Sequence, residues 1–253
     1  MIVGVYGLGR FGAFWATVLS DFFEVYASSR SPRSFADIPY KIVSQDELFR
    51  TCDTIFLCVA ISAVESAVVS LRDMIRPGSL VIDTCSVKEY PLGVLEKLLP
   101  QDIGILGTHP MFGPDSAVNG IDGLPIVITP SIRTSYDAIA FWSEAFRKMG
   151  LRVHRMSAEE HDREAAYSQG ITHFIGRLLD RLDLKDTPIA TLGYRKLLEI
   201  REQTCNDPFQ LFVDLQKYNY HTSEMRQSLV KALNEVLDTI NKSIDYDDKS
   251  SIR

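Results

Sequence analysis

One histidine stands out by the company it keeps. Gly107-Thr108-His109-Pro110-Met111-Phe112-Gly113-Pro114 follows an apolar run, Ile103 to Leu106, that reads as a strand end. In an open α/β sheet, substrates and cofactors meet at strand ends. Neutral imidazole is the side chain best suited to take a proton near neutral pH. Ser86, in the turn Asp83-Thr84-Cys85-Ser86-Val87-Lys88, sits at another strand end about one βα unit earlier. Asp83 and Ser86 can cap the helix that follows; Ser86 is equally placed to orient His109 or a substrate hydroxyl. Further along, His161-Asp162 and the run Ser168-Gln169-Gly170-Ile171-Thr172-His173 add polar groups. Twelve residues and more than three turns apart on one helix, His161 and His173 return to nearly the same face. At 1.5 Å per residue they stand roughly 18 Å apart, too far to share a metal. The set points to acid–base chemistry with His109 as base and no metal.

A second signature opens the chain. The short apolar run Ile2-Val3-Gly4-Val5-Tyr6 feeds into Gly7-Leu8-Gly9-Arg10-Phe11-Gly12 and then a helical pattern, Ala13 to Phe22. Between a strand and a helix, GxGxxG is a dinucleotide loop. Gly7 allows the tight turn, Gly9 lets the backbone approach a pyrophosphate, and Gly12 lets helix and strand pack closely. The helix N-terminus offers free N–H groups to the phosphates, so Gly7 to Gly12 are all cofactor-facing candidates, with Val59 at the end of a later strand. The second strand, Glu24 to Ala27, ends in Ser28-Ser29-Arg30, where an NAD-specific fold usually places Asp or Glu. Two hydroxyls and a guanidinium would accept a 2′-phosphate. The expected cofactor is NADP; otherwise Arg30 is a solvated loop residue.

These residues need a scaffold, and the pattern supplies one. Apolar strands at Thr54 to Val59 and Ser79 to Asp83 alternate with helices at about Ser62 to Met74 and Val87 to Leu98. Strands Leu124 to Ile128 and Leu151 to His154 flank a helix from Thr134 to Met149. From about Ser157 the pattern is helical: Ala158 to Leu182, Ile189 to Thr204, Pro208 to Tyr220 and Ser223 to Ile244, with Asp245 to Asp248 and the end at Arg253 frayed. The fold class is α/β: a Rossmann-type doubly wound sheet over 1–155, then an all-α helical domain over 156–253.

Composition sets the outer bounds. The 253 residues are 45% hydrophobic and 24% charged, an ordinary globular mixture. A net charge of −6 argues against a nucleic-acid surface. Cys52, Cys58, Cys85 and Cys205 form no CxxC pattern and read as reduced thiols of a cytoplasmic protein. Met1-Ile2-Val3 already belongs to the first strand, which leaves no signal peptide, and no apolar run approaches membrane-spanning length.

The chain resembles the TyrA family, the prephenate and arogenate dehydrogenases of tyrosine biosynthesis. The resemblance covers nearly its whole length: the glycine loop, Asp83 to Lys88, Thr108 to Pro114, His161-Asp162, Ser168 to His173, and Gly193-Tyr194 through Asp207. It implies that His109 is the catalytic base, that Ser86 positions it and the ring hydroxyl, and that His173 lies in the substrate pocket. It also implies a homodimer through the helical domain. Many bacterial prephenate dehydrogenases carry an Arg five residues before the position of Asp207; here Glu202 stands there, with Arg201 one place earlier. That pattern is more similar to the plant and cyanobacterial arogenate branch. Gln169, Thr172, His173, Arg201 and Asp207 are thus the substrate-facing candidates, with Asp207 either the partner of a substrate ammonium or an N-terminal helix cap.

The chemistry implied is an oxidative decarboxylation: hydride leaves C4 of a cyclohexadienyl ring while a base removes the hydroxyl proton, and loss of CO₂ aromatises the ring. A β-hydroxyacid dehydrogenase would want a Lys four residues after Gly170, where Phe174 stands. A non-catalytic NADP-sensing regulator would not need Ser86, His109 and His173 together.

Overall fold

The computed structural model describes residues 1–31 and 37–250, with side chains described to residue 244. Eight strands form one sheet in the order β3-β2-β1-β4-β5-β6-β7-β8. They are β1 (Ile2–Tyr6), β2 (Glu24–Ser28), β3 (Lys41–Ile42), β4 (Thr54–Leu57), β5 (Leu80–Asp83), β6 (Gly104–Pro110), β7 (Pro125–Pro130) and β8 (Arg152–Arg155). The first six run parallel, in the 3-2-1-4-5-6 order of a dinucleotide fold, as expected. β7 returns antiparallel to β6, because no crossover helix lies between them, and β8 is again parallel after one.

Helices cover both faces, which is why the central strands are apolar on both sides. On one face α1 (Arg10–Ser20) and α5 (Tyr136–Lys148) bury Trp15, Trp142 and Phe146 against Phe56. On the other, α2 (Gln45–Thr51), α3 (Val64–Leu71) and α4 (Glu89–Leu98) bury Leu48, Phe49, Val64 and Leu95. The pair β3 and α2 was not foreseen; two exposed strand residues and a charged seven-residue helix carry little periodic signal. Helix α1 also begins at Arg10 rather than Ala13, so the glycine loop already belongs to its first turn.

The helical half comprises α6 (Ala158–Ala165), a π turn (Ala166–Gly170), α7 (Ile171–Arg181), α8 (Leu192–Cys205), α9 (Phe209–Tyr218) and α10 (Thr222–Ser250). α10 runs past Ile244 over the acidic stretch expected to fray; Arg253 lies outside the described residues. Buried polar bonds tie this half to the sheet. Asp214 on α9 accepts from the Ser62 amide at 3.0 Å and its hydroxyl at 2.8 Å, just before α3. Leu215 beside it joins the core under α3 and α4.

The ends of β5 and β6 are locked by a fully buried ion pair. Lys88 Nζ meets Asp83 Oδ2 and donates to the Thr108 carbonyl at 2.6 Å, while Thr108 Oγ1 donates to the Asp83 carbonyl at 2.8 Å. Both charges are out of water, so removing one strands the other. Lys88→Met is expected to lower unfolding free energy by about 3–5 kcal/mol, and Asp83→Asn/Lys88→Met to recover most of it. Urea unfolding followed by circular dichroism measures both; a double variant as unstable as the single would contradict the assignment.

Candidate active site

Strand β6 runs through Pro110, four residues beyond the apolar run that suggested its end, so His109 belongs to the strand, paired with Val127 of β7, and not to the turn after it. The backbone on both sides is therefore held by the sheet, and the imidazole is 2% exposed. A strand-borne side chain has less freedom than a loop-borne one.

Its orientation comes from the helical half. His109 Nδ1 lies 2.8 Å from His161 Nε2, and His161 Nδ1 lies 2.7 Å from Asp162 Oδ1. The hydrogen placement follows from these contacts. A carboxylate only accepts, so His161 Nδ1 carries the proton and its Nε2 is bare. That bare nitrogen accepts from His109 Nδ1–H, which leaves His109 Nε2 without a proton. Burial foremost, with the Lys88 charge nearby, holds each ring below the ordinary imidazole value of 6.5 and favours its neutral form, although the Asp162 bond pulls His161 the other way. For His109 the fall is large, and the adjacent His161 adds to it.

Asp162 does more than fix a tautomer. Its oxygens accept from the Lys88 amide at 2.7 Å and the Glu89 amide at 2.9 Å, and its own carbonyl accepts from Asn219 Nδ2 at 2.7 Å. Helix α4 has no cap from the residue at its own N-terminus. Neither Asp83 nor Ser86 caps it, so of the two readings left open for this turn the capping one does not hold. Asp83 Oδ1 instead accepts from the Cys85 amide at 3.0 Å, closing the turn, while its other oxygen is committed to Lys88. The cap is supplied from 73 residues away.

His109 and Ser86 line one cleft of about 500 Å³ between sheet and helices. The same cleft is lined by Gly9, Arg10, Phe11, Gly12 and Val59 from the cofactor candidates, and by Gln169, Thr172, His173 and Asp207 from the substrate candidates. His173 Nδ1 and Gln169 Oε1 are buried without a partner. Burial, helped by Arg177, lowers His173 to about 4. Thr172 Oγ1 donates to the Ser168 carbonyl at 2.8 Å. The π turn explains how His161 and His173 both face the sheet side. In a regular helix twelve residues end about 120° off the starting face, not on it. The π turn takes in one extra residue and removes about 100° of that error.

The glycine loop has the shape an anion needs. A Cβ on Gly7, which has φ +106°, would meet the Cys58 carbonyl at 2.3 Å, and one on Gly12 would meet the Gly7 carbonyl at 1.8 Å. At Gly9 nothing stands within 4 Å, so backbone there faces open space. The first in-helix bond of α1 is Ala13 N–H to Gly9, leaving the amides of Arg10, Phe11 and Gly12 free, with no acidic residue in that turn. These groups fit a pyrophosphate.

Other candidates lie elsewhere. Leu8 is 2% exposed within the core beside α1. The Ser28 carbonyl accepts from the Gly7 amide at 2.8 Å, and Ser29 Oγ donates to the Ser31 carbonyl at 2.6 Å; with exposed Arg30 they stand at the end of β2, outside the cleft. Arg201 donates to the Leu184 carbonyl and is not brought to the cleft. Asp207 makes no cap bond to α9; its carboxylate faces Arg10 Nη1 at 3.4 Å, and Arg10 also pairs with Asp115. Burial raises Asp207 above the usual carboxylate value, Arg10 and Arg177 lower it, and Asp115 raises it. Cys58 and Cys85 line the cleft, but burial pushes Cys58 up to about 12 and Cys85 also well up, so neither thiol is a nucleophile. Among the described residues no group of three or more His, Cys, Asp or Glu could hold a metal, and no helix is long and apolar enough to cross a membrane.

Comparison with known proteins bears on the family. Residues 34–155 match the nucleotide-binding domain of prephenate dehydrogenase, and residues 178–251 a TYRAAT1-like C-terminal domain. Arogenate dehydrogenase 1, chloroplastic, of Arabidopsis thaliana is 39% identical over 88% of this chain and 36% of its own length. Arogenate dehydrogenase 2, chloroplastic, of the same plant is 34% identical over 92% of this chain and 68% of its own. The chain thus spans about a third of the first relative and two thirds of the second. Among solved structures, Aquifex aeolicus prephenate dehydrogenase with hydroxyphenyl propionate and NAD+ superposes with a TM-score of 0.77 at 21% identity, over 97% of this chain and 92% of that one. Synechocystis arogenate dehydrogenase gives 0.71 at 20%, over 96% and 93%. The fold, the nucleotide loop and the relatives agree: the chain belongs to the prephenate and arogenate dehydrogenase family.

Proposed function

We propose that this chain oxidatively decarboxylates arogenate, passing hydride to NADP. The observation that carries the reading is the His109–His161–Asp162 chain, which leaves His109 Nε2 bare in a cleft shared with a dinucleotide loop. Residues 1–155 supply the cofactor half and residues 156–253 the substrate half. The glycine loop and the free amides of α1 hold the pyrophosphate; Ser28, Ser29 and Arg30 receive the 2′-phosphate at the end of β2. The bound nicotinamide supplies the hydride acceptor.

His109 Nε2 takes the proton of the C4 hydroxyl, with Ser86 in the same cleft as partner for that hydroxyl. The proton arrives on a ring whose Nδ1–H already points to His161, and Asp162 stabilises the resulting cation through that ring. Substrate carboxylates entering the cleft favour the same cation and move His109 back toward its ordinary value. His173 and Gln169, each with an unpartnered polar atom, and Thr172 face the rest of the substrate. Asp207 receives the ammonium that distinguishes arogenate from prephenate. A keto group there would leave a half-buried carboxylate without its cation.

The assembly follows from α10. Val230, Leu233, Leu237, Ile240 and Ile244 are each about half exposed and spaced three and four apart, the seam of a helix that packs on another helix. A homodimer through the helical half covers it. The four free cysteines support a reducing, cytoplasmic setting.

His109→Asn is expected to leave cofactor binding near normal while kcat falls roughly 10²–10⁴-fold. Because His109 is lowered, the parent kcat/KM should be flat above the ordinary imidazole value of 6.5 and fall only on a limb at more acidic pH. That limb should vanish in the variant. Activity within a few-fold of the parent would remove His109 from the chemistry.

A second assay pairs arogenate and prephenate with NAD and NADP. Arogenate with NADP should be the preferred pair, Asp207→Asn should shift preference toward prephenate, and Ser29→Asp/Arg30→Ala should lose the NADP preference. Equal use of prephenate by the parent, unchanged in Asp207→Asn, would refute the ammonium assignment.

A further inference from the structure

Arg10 ties together three parts of the chain through its charge. It is the first residue of α1, and its own amide belongs to the free set that faces the phosphates. Its guanidinium pairs with Asp115, in the segment after β6, and with Asp207, between α8 and α9. All three residues line the cleft. Arg10 is thus shared between two carboxylates, with Arg177 bonded to the Asp207 carbonyl at 2.7 Å. The Arg10, Asp115 and Asp207 side chains are 41%, 34% and 31% exposed, so the Arg10 pairs are partly screened and exchange readily.

We propose that Arg10 is a latch coupling the two ligands: cofactor phosphates draw its guanidinium off Asp207, and the freed carboxylate takes the substrate ammonium. This inference rests on the arogenate reading of the cleft. A phosphate competes well because its hydrogen bonds to guanidinium are charge-assisted and often bidentate. Asp207, half-buried and deprived of Arg10, keeps only the more distant help of Arg177, whose guanidinium is bonded to the Asp207 carbonyl, and its carboxylate is open to a new cation. An amine-bearing ligand supplies one and a keto ligand does not. Cofactor therefore favours the first and disfavours the second, and linkage makes the effect reciprocal. Arg10 thereby becomes a specificity residue although it sits in the nucleotide loop.

The test uses the two products, L-tyrosine and 4-hydroxyphenylpyruvate, which differ as amine and ketone and do not turn over with NADP+. Each is titrated by calorimetry into the protein alone and at saturating NADP+. NADP+ should tighten tyrosine roughly fivefold or more and should not tighten 4-hydroxyphenylpyruvate. Arg10→Gln should bind tyrosine several-fold tighter than the parent without cofactor, and its cofactor effect should shrink to within about twofold. Equal cofactor effects on both ligands, or an effect that survives in Arg10→Gln, would overturn the latch. Asp207→Asn separates the two layers. If it weakens tyrosine while NADP+ shows no preference between the ligands in the parent, only the latch fails; if tyrosine binding is unchanged, the ammonium assignment itself fails.

Discussion

The Asp162 carboxylate holds the site together. One side chain on α6 caps α4, orders His161, and through His161 sets the proton on His109. All but the bond within the adjacent His161-Asp162 pair join parts of the chain more than fifty residues apart in sequence. Without the cap, the start of α4 drifts and with it Lys88. Without His161, the imidazole of His109 is free to choose the tautomer that presents N–H to the cleft. Fold stability and base competence therefore share one group. The desolvation of a buried carboxylate is offset because Asp162 accepts two backbone amides and an imidazole N–H, the arrangement under which burying a charge is tolerable.

The buried Lys88–Asp83 pair works beside it. Such pairs are poor sources of net stability, but they are specific about geometry. Here Lys88 Nζ also binds the carbonyl of Thr108, the residue before His109. The ion pair thus fixes the strand that carries His109, while the positive charge of Lys88 helps lower His109 and His161.

Sequence made some of this legible and hid the rest, for physical reasons. The glycine loop, the parallel strands and the helical second half were readable because their signals are local: period, glycine spacing, and the end of strand alternation. The contact of His109 with His161 spans 52 residues, and nothing in local spacing encodes it. The adjacent pair His161-Asp162 was visible as polar residues on a helix, yet its role needed the neighbouring β6. The π turn was illegible too, since Ala166 to Gly170 has no composition that distinguishes it from α-helix; only the tertiary demand for His173 in the cleft reveals it. Arg201 looked suited to a carboxylate by type, but the α8 register turns it to the Leu184 carbonyl. Lys88 was quoted as part of a motif, and its burial could not be read from a charged residue in a turn.

The central claim is that His109 is a neutral base with Nε2 bare toward the cleft and Nδ1–H bonded to His161. Nitrogen-15 NMR of histidine-labelled protein reads both points at once, against His109→Asn for assignment. The account predicts a neutral Nδ1–H tautomer for His109 that stays unprotonated as pH is lowered through 6.5, with His161 in the same tautomer. A His109 ring that titrates near 6.5, or one that carries its proton on Nε2, would contradict it.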